Sequence, residues 1–336
     1  MTTNDALSVL SKVEREKLRE KSQPKWVEPM LAKLTDERFS DEDWIFERKF
    51  DGVRCLAHRD GDKVRLFSRN RQPQNDTYPE LVEALERQGP ESFVADGEIV
   101  AFRGKVTSFS RLQGRLGLSD PDEARASGIA VYYYLFDLPY YADHDLEKLP
   151  LRARKRVLRK AFSYTDPLRY SRHRNTEGES YHREACRKGW EGIIAKRAEG
   201  AYAGKRSRDW LKMKCVHRQE LVIGGYTDPE SSRSGFGALL LGYYEGNRLC
   251  FAGRVGTGFD EEELRNLLRR LKSRERRTPA FDAEGIPRRH VHWVRPDLVA
   301  EIGFTEWTDD GKLRHPRYLG LRHDKDARDV VREDKQ

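Results

Sequence analysis

The hexapeptide Lys49-Phe50-Asp51-Gly52-Val53-Arg54 constrains this chain more than any other stretch. Its acid–glycine pair falls between two strand-like runs, Trp44-Ile45-Phe46 before it and Lys63-Val64-Arg65-Leu66-Phe67 after the Gly61-Asp62 turn signal. The pattern predicts a turn that sets a lysine beside an acid and an arginine. A lysine so placed can attack an electrophilic phosphorus once it has lost its proton. Desolvation or neighbouring cations lower the ordinary lysine pKa of about 10.4 enough to allow that. The covalent product is a phosphoramidate. Taken alone, K-x-D-G also describes one surface lysine among 64 Lys and Arg residues, so the weight falls on what accompanies it.

At 336 residues the chain has room for two domains, and 37% hydrophobic against 36% charged residues describes a folded chain with a wet surface. A net charge of +8 and a pI of about 9.2 favour a polyanionic partner, nucleic acid first. Cys55, Cys186, Cys215 and Cys250 include no C-x-x-C pair, which excludes a zinc ribbon and suggests a reducing compartment. The N-terminus has no apolar h-region, and no apolar run approaches membrane-spanning length. A soluble intracellular protein is the expectation.

Residues 1–24 read as a charged arm, short and helical or frayed. Over 25–217, β-rich segments such as Phe93 to Val100 alternate with helical ones, and Val131 to Phe136 reads as a buried strand. Leu151 to Phe162 is helical by pattern and carries six cations between Arg152 and Lys160, suited to a DNA groove or to a solvated face. Over 218–328 short strands alternate with Gly-rich turns, and Asp260 caps a helix that buries Leu264, Leu267, Leu268 and Leu271. Strands with one inserted helix in roughly a hundred residues suggest a small Greek-key barrel of the OB type. Residues 329–336 read as a tail. Gly253 to Gly258 (GRVGTG) lacks the strand-to-helix context and terminal Lys of a P-loop and reads as turns.

Three further motifs supply what attack on a nucleotide phosphate requires. Asp96-Gly97-Glu98 sits inside an apolar strand, where an acid is costly unless it binds something such as a ribose hydroxyl or a divalent cation. Trp190-Glu191-Gly192-Ile193-Ile194-Ala195-Lys196 again puts a carboxylate before a glycine and then an apolar strand. In Asp209-Trp210-Leu211-Lys212-Met213-Lys214, an extended backbone points Lys212 and Lys214 to one face, where they present two charges to one phosphate.

In this order the motifs resemble those of covalent nucleotidyltransferases of the ATP-dependent DNA ligase superfamily, which share fold and lysine chemistry with RNA ligases and mRNA capping enzymes. Four stretches resemble more narrowly the ligase module of bacterial end-joining ligase D: Trp26 to Ala32, Arg206 to Lys212, Ser234 to Leu241 and Leu319 to Lys325. The likeness runs from about Lys25 to Lys325. It implies an α+β chain, with an ATP-grasp-like mixed α/β nucleotidyltransferase core followed by a small OB-fold β-barrel.

The resemblance also implies roles. Lys49 is the adenylated nucleophile, and Arg54 lies near the phosphate and ribose of the nucleotide. Arg69, in Ser68-Arg69-Asn70, contacts a phosphate of the nucleotide or of the DNA 5′ end. Glu98 sits near ribose and metal, Phe136 stacks on adenine, and Glu191 belongs with the catalytic metal, as does Asp51. Lys212 and Lys214 hold the α-phosphate and help expel pyrophosphate. Arg322 and Lys325 orient the β- and γ-phosphates; His323 between them receives no role. Glu47, Lys196 and Arg208 complete the nucleotide-binding set. ATP and Mg²⁺ or Mn²⁺ are the implied cofactors. Nicked or broken double-stranded DNA is the implied substrate of a monomeric enzyme in the bacterial cytoplasm. The bacterial Ku homodimer and a separate repair polymerase are the implied partners.

Two rival readings stay open on the sequence: an RNA ligase or GTP-using capping enzyme, and a nucleic-acid-binding module with a dead nucleotide site. The short stretch before Lys49 leaves no room there for a helical DNA-encircling domain, so DNA gripping is expected to rest on the two catalytic domains. The chain reads equally as a stand-alone protein or as the ligase portion of a larger one.

Overall fold

The Asp51-Gly52 turn is a crossover between two sheets. The strand Trp44–Lys49 lies in a five-stranded sheet, and the strand Val53–Asp60 lies in an eight-stranded one. Gly52 is demanded by the crowding there, because a Cβ would sit 2.2 Å from the Ile99 carbonyl oxygen. The computed structural model describes residues 6–215, 217–229, 235–281, 286, 290–304, 306–308 and 310–333. Ser234, the first residue of one stretch quoted above, lies outside the described residues.

The chain divides into two compact units, with the boundary after Cys215. In the first unit, the larger sheet runs in the order Arg19–Glu20, His144–Asp145, Val131–Tyr141, Ser92–Arg103, Val53–Asp60, Lys63–Ser68. Alternation sorts its faces. Val53, Cys55, Ala57, Phe93, Ala95, Ile99, Tyr133 and Leu135 point into a core with the helices Pro79–Glu86 and Leu151–Ala161. Leu56, Val94 and Phe136 point the other way and join Met30, Tyr202 and Trp210.

The smaller sheet runs His173–Asn175, Trp44–Lys49, Gly192–Arg197, Arg206–Lys214, Leu31–Leu34. One face, with Trp44, Phe46, Ile193, Ala195 and Met213, packs on Tyr181 and Ala185 of the helix Gly178–Arg187. The opposite face carries the polar residues discussed below.

The basic helix has a solvated face, with Arg156, Arg159 and Lys160 exposed, but two of its six cations, Arg154 and Lys155, point inward. Leu151, Arg154, Lys155 and Leu158, spaced i, i+3, i+4, i+7, are all buried. Arg154 is bidentate to fully buried Asp137, with Nε–Oδ1 2.7 Å and Nη2–Oδ2 2.9 Å. The expected N-terminal arm is docked as well. Ala6, Leu7 and Leu10 belong to the core, a Ser11/Glu14 capping box opens the next helical turn, and Glu14 pairs with Arg156 at 2.6 Å.

The second unit holds a six-stranded sheet in the order Arg248–Val255, Leu239–Glu245, His217–Thr227, Val291–Phe304, Glu275–Arg276, with Arg317–Arg322 also on Val291–Phe304. The strand beginning at His217 explains why the boundary precedes 217 rather than following it. Asp260 Oδ1 accepts the Glu263 N–H at 2.8 Å, capping the helix Glu261–Lys272, whose Leu264, Leu267 and Leu271 are buried. Leu268 is only partly buried against the same core. Residues 329–333 are not a free tail: Val330 is in the core, and its carbonyl accepts the Tyr244 N–H at 2.7 Å.

The Arg154–Asp137 pair yields a stability prediction. Asp137→Ala leaves the guanidinium buried without its counter-charge and should cost about 3–5 kcal/mol in urea unfolding. Adding Arg154→Met should recover much of that loss. A double variant as unstable as the single one would show that the pair is not the cause.

Candidate active site

Strand register assembles the site. Across the smaller sheet, Lys49 lies opposite Gly192 and Gly192 opposite Lys214; in the next row Glu47, Ile194 and Lys212 align, and then Ile45, Lys196 and Trp210. Directly opposed residues share a face, and so do residues two apart along a strand. One face therefore carries Glu47, Lys49, Lys196, Lys212 and Lys214. Gly192 leaves the space between Lys49 and Lys214 open, and its φ of +150° suits glycine. A Cβ at Gly192 would stand 2.1 Å from the Met213 carbonyl oxygen.

Lys49 Nζ lies 2.5 Å from Glu191 Oε1, and the side chains are 19% and 6% exposed. The lysine is thus reachable while its carboxylate partner is held below it. Asp51 is tied to the segment around Thr107 and Phe109. Its N–H donates to Thr107 Oγ1 and its Oδ2 accepts the Phe109 N–H, both at 3.3 Å.

The larger sheet contributes a second row, in which Arg54 opposes Glu98 and Glu98 opposes Tyr134. Arg54 grips Asp96 through both Nε and Nη2, and Tyr202 donates to Asp96 Oδ2 at 2.7 Å. Sequence reasoning expected the acid in this strand to require a ribose or a metal. An internal arginine and tyrosine satisfy Asp96 instead, and Glu98 beside it is the half-buried carboxylate. Burial acts to lower the Arg54 pKa, but the Asp96 charge outweighs it and raises it. Gly97 admits this packing, since a Cβ would meet the Tyr133 ring at 2.5 Å.

Phe136 stands where the two rows approach. Arg54 lies 4.6 Å and Lys196 Nζ 4.2 Å from its ring centroid, Trp210 meets it edge-on at 6.0 Å, and it is 7% exposed. Beneath it, Glu47 is saturated: Lys155 Nζ at 2.6 Å, Lys196 Nζ at 3.1 Å and Ser171 Oγ at 2.9 Å. Burial pushes the Glu47 carboxyl up, but the two lysines outweigh it and hold it at about 2. Lys196 is pushed down to about 8, by burial and by the Lys155 charge, against the pull of Glu47. Lys155 and Ser171 are buried neighbours of Glu47 that sequence reasoning missed. The helical spacing of Lys155 with Leu151 and Leu158 was the available signal for one of them.

Arg69 is half-buried just after the strand Lys63–Ser68, and Arg208 is exposed on the strand Arg206–Lys214, next to the pairing irregularity after Ser207. Arg322 and Lys325 form their own group in the second unit. Arg322 binds Asp324 through Nε (2.9 Å) and Nη2 (2.8 Å) and reaches Glu301 at 3.4 Å, while Lys325 pairs with Glu220 at 3.2 Å.

Residues 29–214 match the family described as ATP dependent DNA ligase domain, and residues 232–325 match the ATP dependent DNA ligase C terminal region. The chain belongs to the ATP-dependent DNA ligase family. The Multifunctional non-homologous end joining protein LigD of Pseudomonas aeruginosa is 38% identical over 320 residues, covering 92% of this chain and 37% of that protein. LigD of Mycobacterium bovis is 37% identical over 317 residues, covering 91% and 40%. A solved structure, mycobacterial DNA ligase D complexed with ATP and MES, superposes with a TM-score of 0.65 at 34% identity, covering 91% of this chain and 98% of that one. The chain spans about two fifths of the length of the curated relatives it matches. As in this ligase family, the first unit is a nucleotidyltransferase domain and the second an OB-fold domain.

The Glu47 cluster predicts an acid response for this chain. A carboxyl that titrates lower when folded stabilises fully above its ordinary value of 4.5, and that contribution is lost as pH falls towards about 2. Glu47→Gln should be less stable at neutral pH and show a shallower loss of unfolding free energy through that window. Parallel slopes for the two proteins in urea titrations at several acid pH values would contradict the assignment.

Proposed function

We propose that this chain seals 5′-phosphate/3′-hydroxyl breaks in duplex DNA, using ATP through lysyl-AMP and DNA-adenylate intermediates, in non-homologous end joining. The observation that carries the reading is Lys49, paired to Glu191 on a sheet face shared with Lys212 and Lys214, in a member of the ATP-dependent DNA ligase family. Lys49 attacks the α-phosphorus of ATP after giving up its proton, for which Glu191 is the adjacent acceptor. The N–P bond forms as the bond to pyrophosphate breaks. Lys212 and Lys214 neutralise charge that builds on the α-phosphate and the leaving group. A DNA 5′-phosphate then displaces the lysine to give the adenylated end. The neighbouring 3′-hydroxyl displaces AMP and closes the strand. Each step is a displacement at phosphorus, so positioning supplies most of the catalysis.

In this reading Arg54, Glu98 and Phe136 line the nucleotide side, with Arg69 and Arg208 towards phosphate. Glu47 and Lys196 act from beneath the pocket. Glu98 and Glu191 offer the hard oxygen donors that suit Mg²⁺ or Mn²⁺, whereas the Asp51 oxygen already accepts the Phe109 N–H and fits such a role less well. A bound cation would supply further charge neutralisation on the triphosphate. Arg322 and Lys325 are assigned to the adenylation step. The relatives named for end joining support that process. By the same reasoning the Ku homodimer and a separate repair polymerase are the partners, and the bacterial cytoplasm the place. Equal end joining with and without Ku would remove that part.

Incubation with α-³²P-ATP and a divalent cation should leave label covalently on the wild type and none on Lys49→Ala. Labelling from GTP alone would instead place the chain with capping enzymes. A wild type that stays unlabelled from either nucleotide, even after pyrophosphate has stripped any resident adenylate, would end the catalytic reading. Arg322→Ala should lower lysyl-AMP formation by at least about tenfold while sealing pre-adenylated nicks at close to the wild-type rate. Equal losses in the two assays would mean that Arg322 holds the second unit together rather than serving adenylation.

A further inference from the structure

Away from the nucleotide face, the helix Gly178–Arg187 and the end of the strand Arg206–Lys214 bring three soft ligand atoms together. His182 and Cys186 are one helical turn apart and share a face; Cys215 follows Lys214 directly. Their ligand atoms all lie within 4.8 Å of one another, and the two sulfurs are joined as a disulfide. The scattered spacing of the cysteines had suggested a reducing compartment; 29 residues separate the two that meet.

We propose that His182, Cys186 and Cys215 form a binding site for one thiophilic divalent cation of the zinc type, and that the disulfide is the oxidised, metal-free form of this site. The orientation of the imidazole is the second observation. His182 Nε2 lies 3.3 Å from the Lys214 carbonyl oxygen. A carbonyl only accepts, so Nε2 carries the hydrogen and the lone pair is on Nδ1. Metal-binding histidines are held in this way, one ring nitrogen donating to a backbone carbonyl while the other meets the ion.

Distances agree. Bonds of roughly 2.3 Å to sulfur and 2.0 Å to nitrogen around a tetrahedral zinc give ligand–ligand edges of about 3.5 Å (S···N) and 3.8 Å (S···S). His182 Nδ1, the nitrogen with the lone pair, already lies 3.8 Å from Cys186 Sγ. The sulfur–sulfur separation has to open from a covalent bond to such an edge. A dithiol reductant supplies the two electrons and two protons that convert the disulfide to two thiols, and is itself oxidised to a disulfide. The cation then displaces the thiol protons, leaving the fourth position to water. In reverse, hydrogen peroxide takes two electrons from the two thiolates, forming the S–S bond and releasing the ion; with two protons it leaves as two waters.

The site is coupled to the strand ends that carry the candidate active-site residues. Cys215 N–H donates to the Glu191 carbonyl at 2.9 Å, and the Lys214 carbonyl that orients His182 also accepts from Arg38 at 3.3 Å. Occupancy would fasten this corner of the sheet to the helix.

The test uses the full chain reduced by a phosphine, equilibrated with Zn²⁺, freed of excess metal and analysed by elemental mass spectrometry. About one zinc per chain is expected, released by hydrogen peroxide as the Cys186–Cys215 disulfide appears in peptide mapping. Competition with a fluorescent chelator should show binding weakened at least about tenfold in Cys215→Ser and in His182→Ala, and unchanged in Cys250→Ser. His182→Ala leaves both cysteines in place and guards against a folding defect in the cysteine variant. Reduced wild type that retains no zinc while both thiols alkylate freely would overturn the proposal. Zinc that survives both variants would overturn it too.

Discussion

The arrangement depends on one row of the smaller sheet, Lys49–Gly192–Lys214. Antiparallel pairing puts the lysine that can attack and a lysine that can neutralise charge on the same face, two strands apart. The glycine between them has no side chain to fill the gap. Glu191, one residue earlier, reaches Lys49 because its strand begins at that glycine. A one-residue slip would turn all of these side chains to the helix-covered side. The apolar residues of the alternate positions, Phe46, Ile193, Ala195 and Met213, prevent it by packing on Tyr181 and Ala185. The core on one side of the sheet thus specifies the chemistry on the other.

Charge is also buried deeply in the first unit, and pairing decides whether it is tolerable. Arg54 with Asp96, Arg154 with Asp137, and Lys155 with Glu47 each set a cation against a carboxylate inside the protein. Replacing such pairs with apolar groups is often neutral or better for stability, so their presence points to orientation rather than to strength. Two pairs converge on one segment: Asp137 follows Phe136, and the Phe136 carbonyl lies 3.5 Å from Lys155 Nζ. Arg54 lies over the same ring. These contacts hold an aromatic side chain between the two sheets.

Much of this was legible in the sequence, and the omissions have a common cause. Alternation placed Lys212 and Lys214 on one face, and acid–glycine pairs marked the strand starts at Val53 and Gly192. These are local signals of period two. The partner of Asp96 is 42 residues away across the sheet, and the partner of Glu47 is 108 away on a helix. No local pattern announces such pairs, so the internal partner of Asp96 went unseen, and the two buried cations of the basic helix were counted with those suited to a DNA groove or a solvated face. The Arg154–Lys155 step shows how the second error arises. Cations on the inward face look like surface residues unless the spacing of the flanking leucines is followed through. Residues 6–15 are helical, one of the two readings, but their docking and that of 329–333 went unseen for a related reason, since a few apolar side chains among many charges suffice to anchor such a segment.

Three lysines on or beneath this site show why accessibility, rather than proton affinity, selects the nucleophile. Lys155 is fully buried against Glu47, which raises its pKa and keeps it charged. Lys196 is pushed down to about 8, chiefly by burial. It is 2% exposed, with the rings of Phe136 and Trp210 at 4.2 and 4.1 Å from its nitrogen. No phosphorus can approach it in line. Lys49 has one carboxylate beside it and an open glycine row in front, so a phosphate can reach its nitrogen. In-line displacement needs the nucleophile, phosphorus and leaving group on one axis. On that ground the proposed attack falls to Lys49, while Lys196 holds Glu47 and supports the aromatic wall.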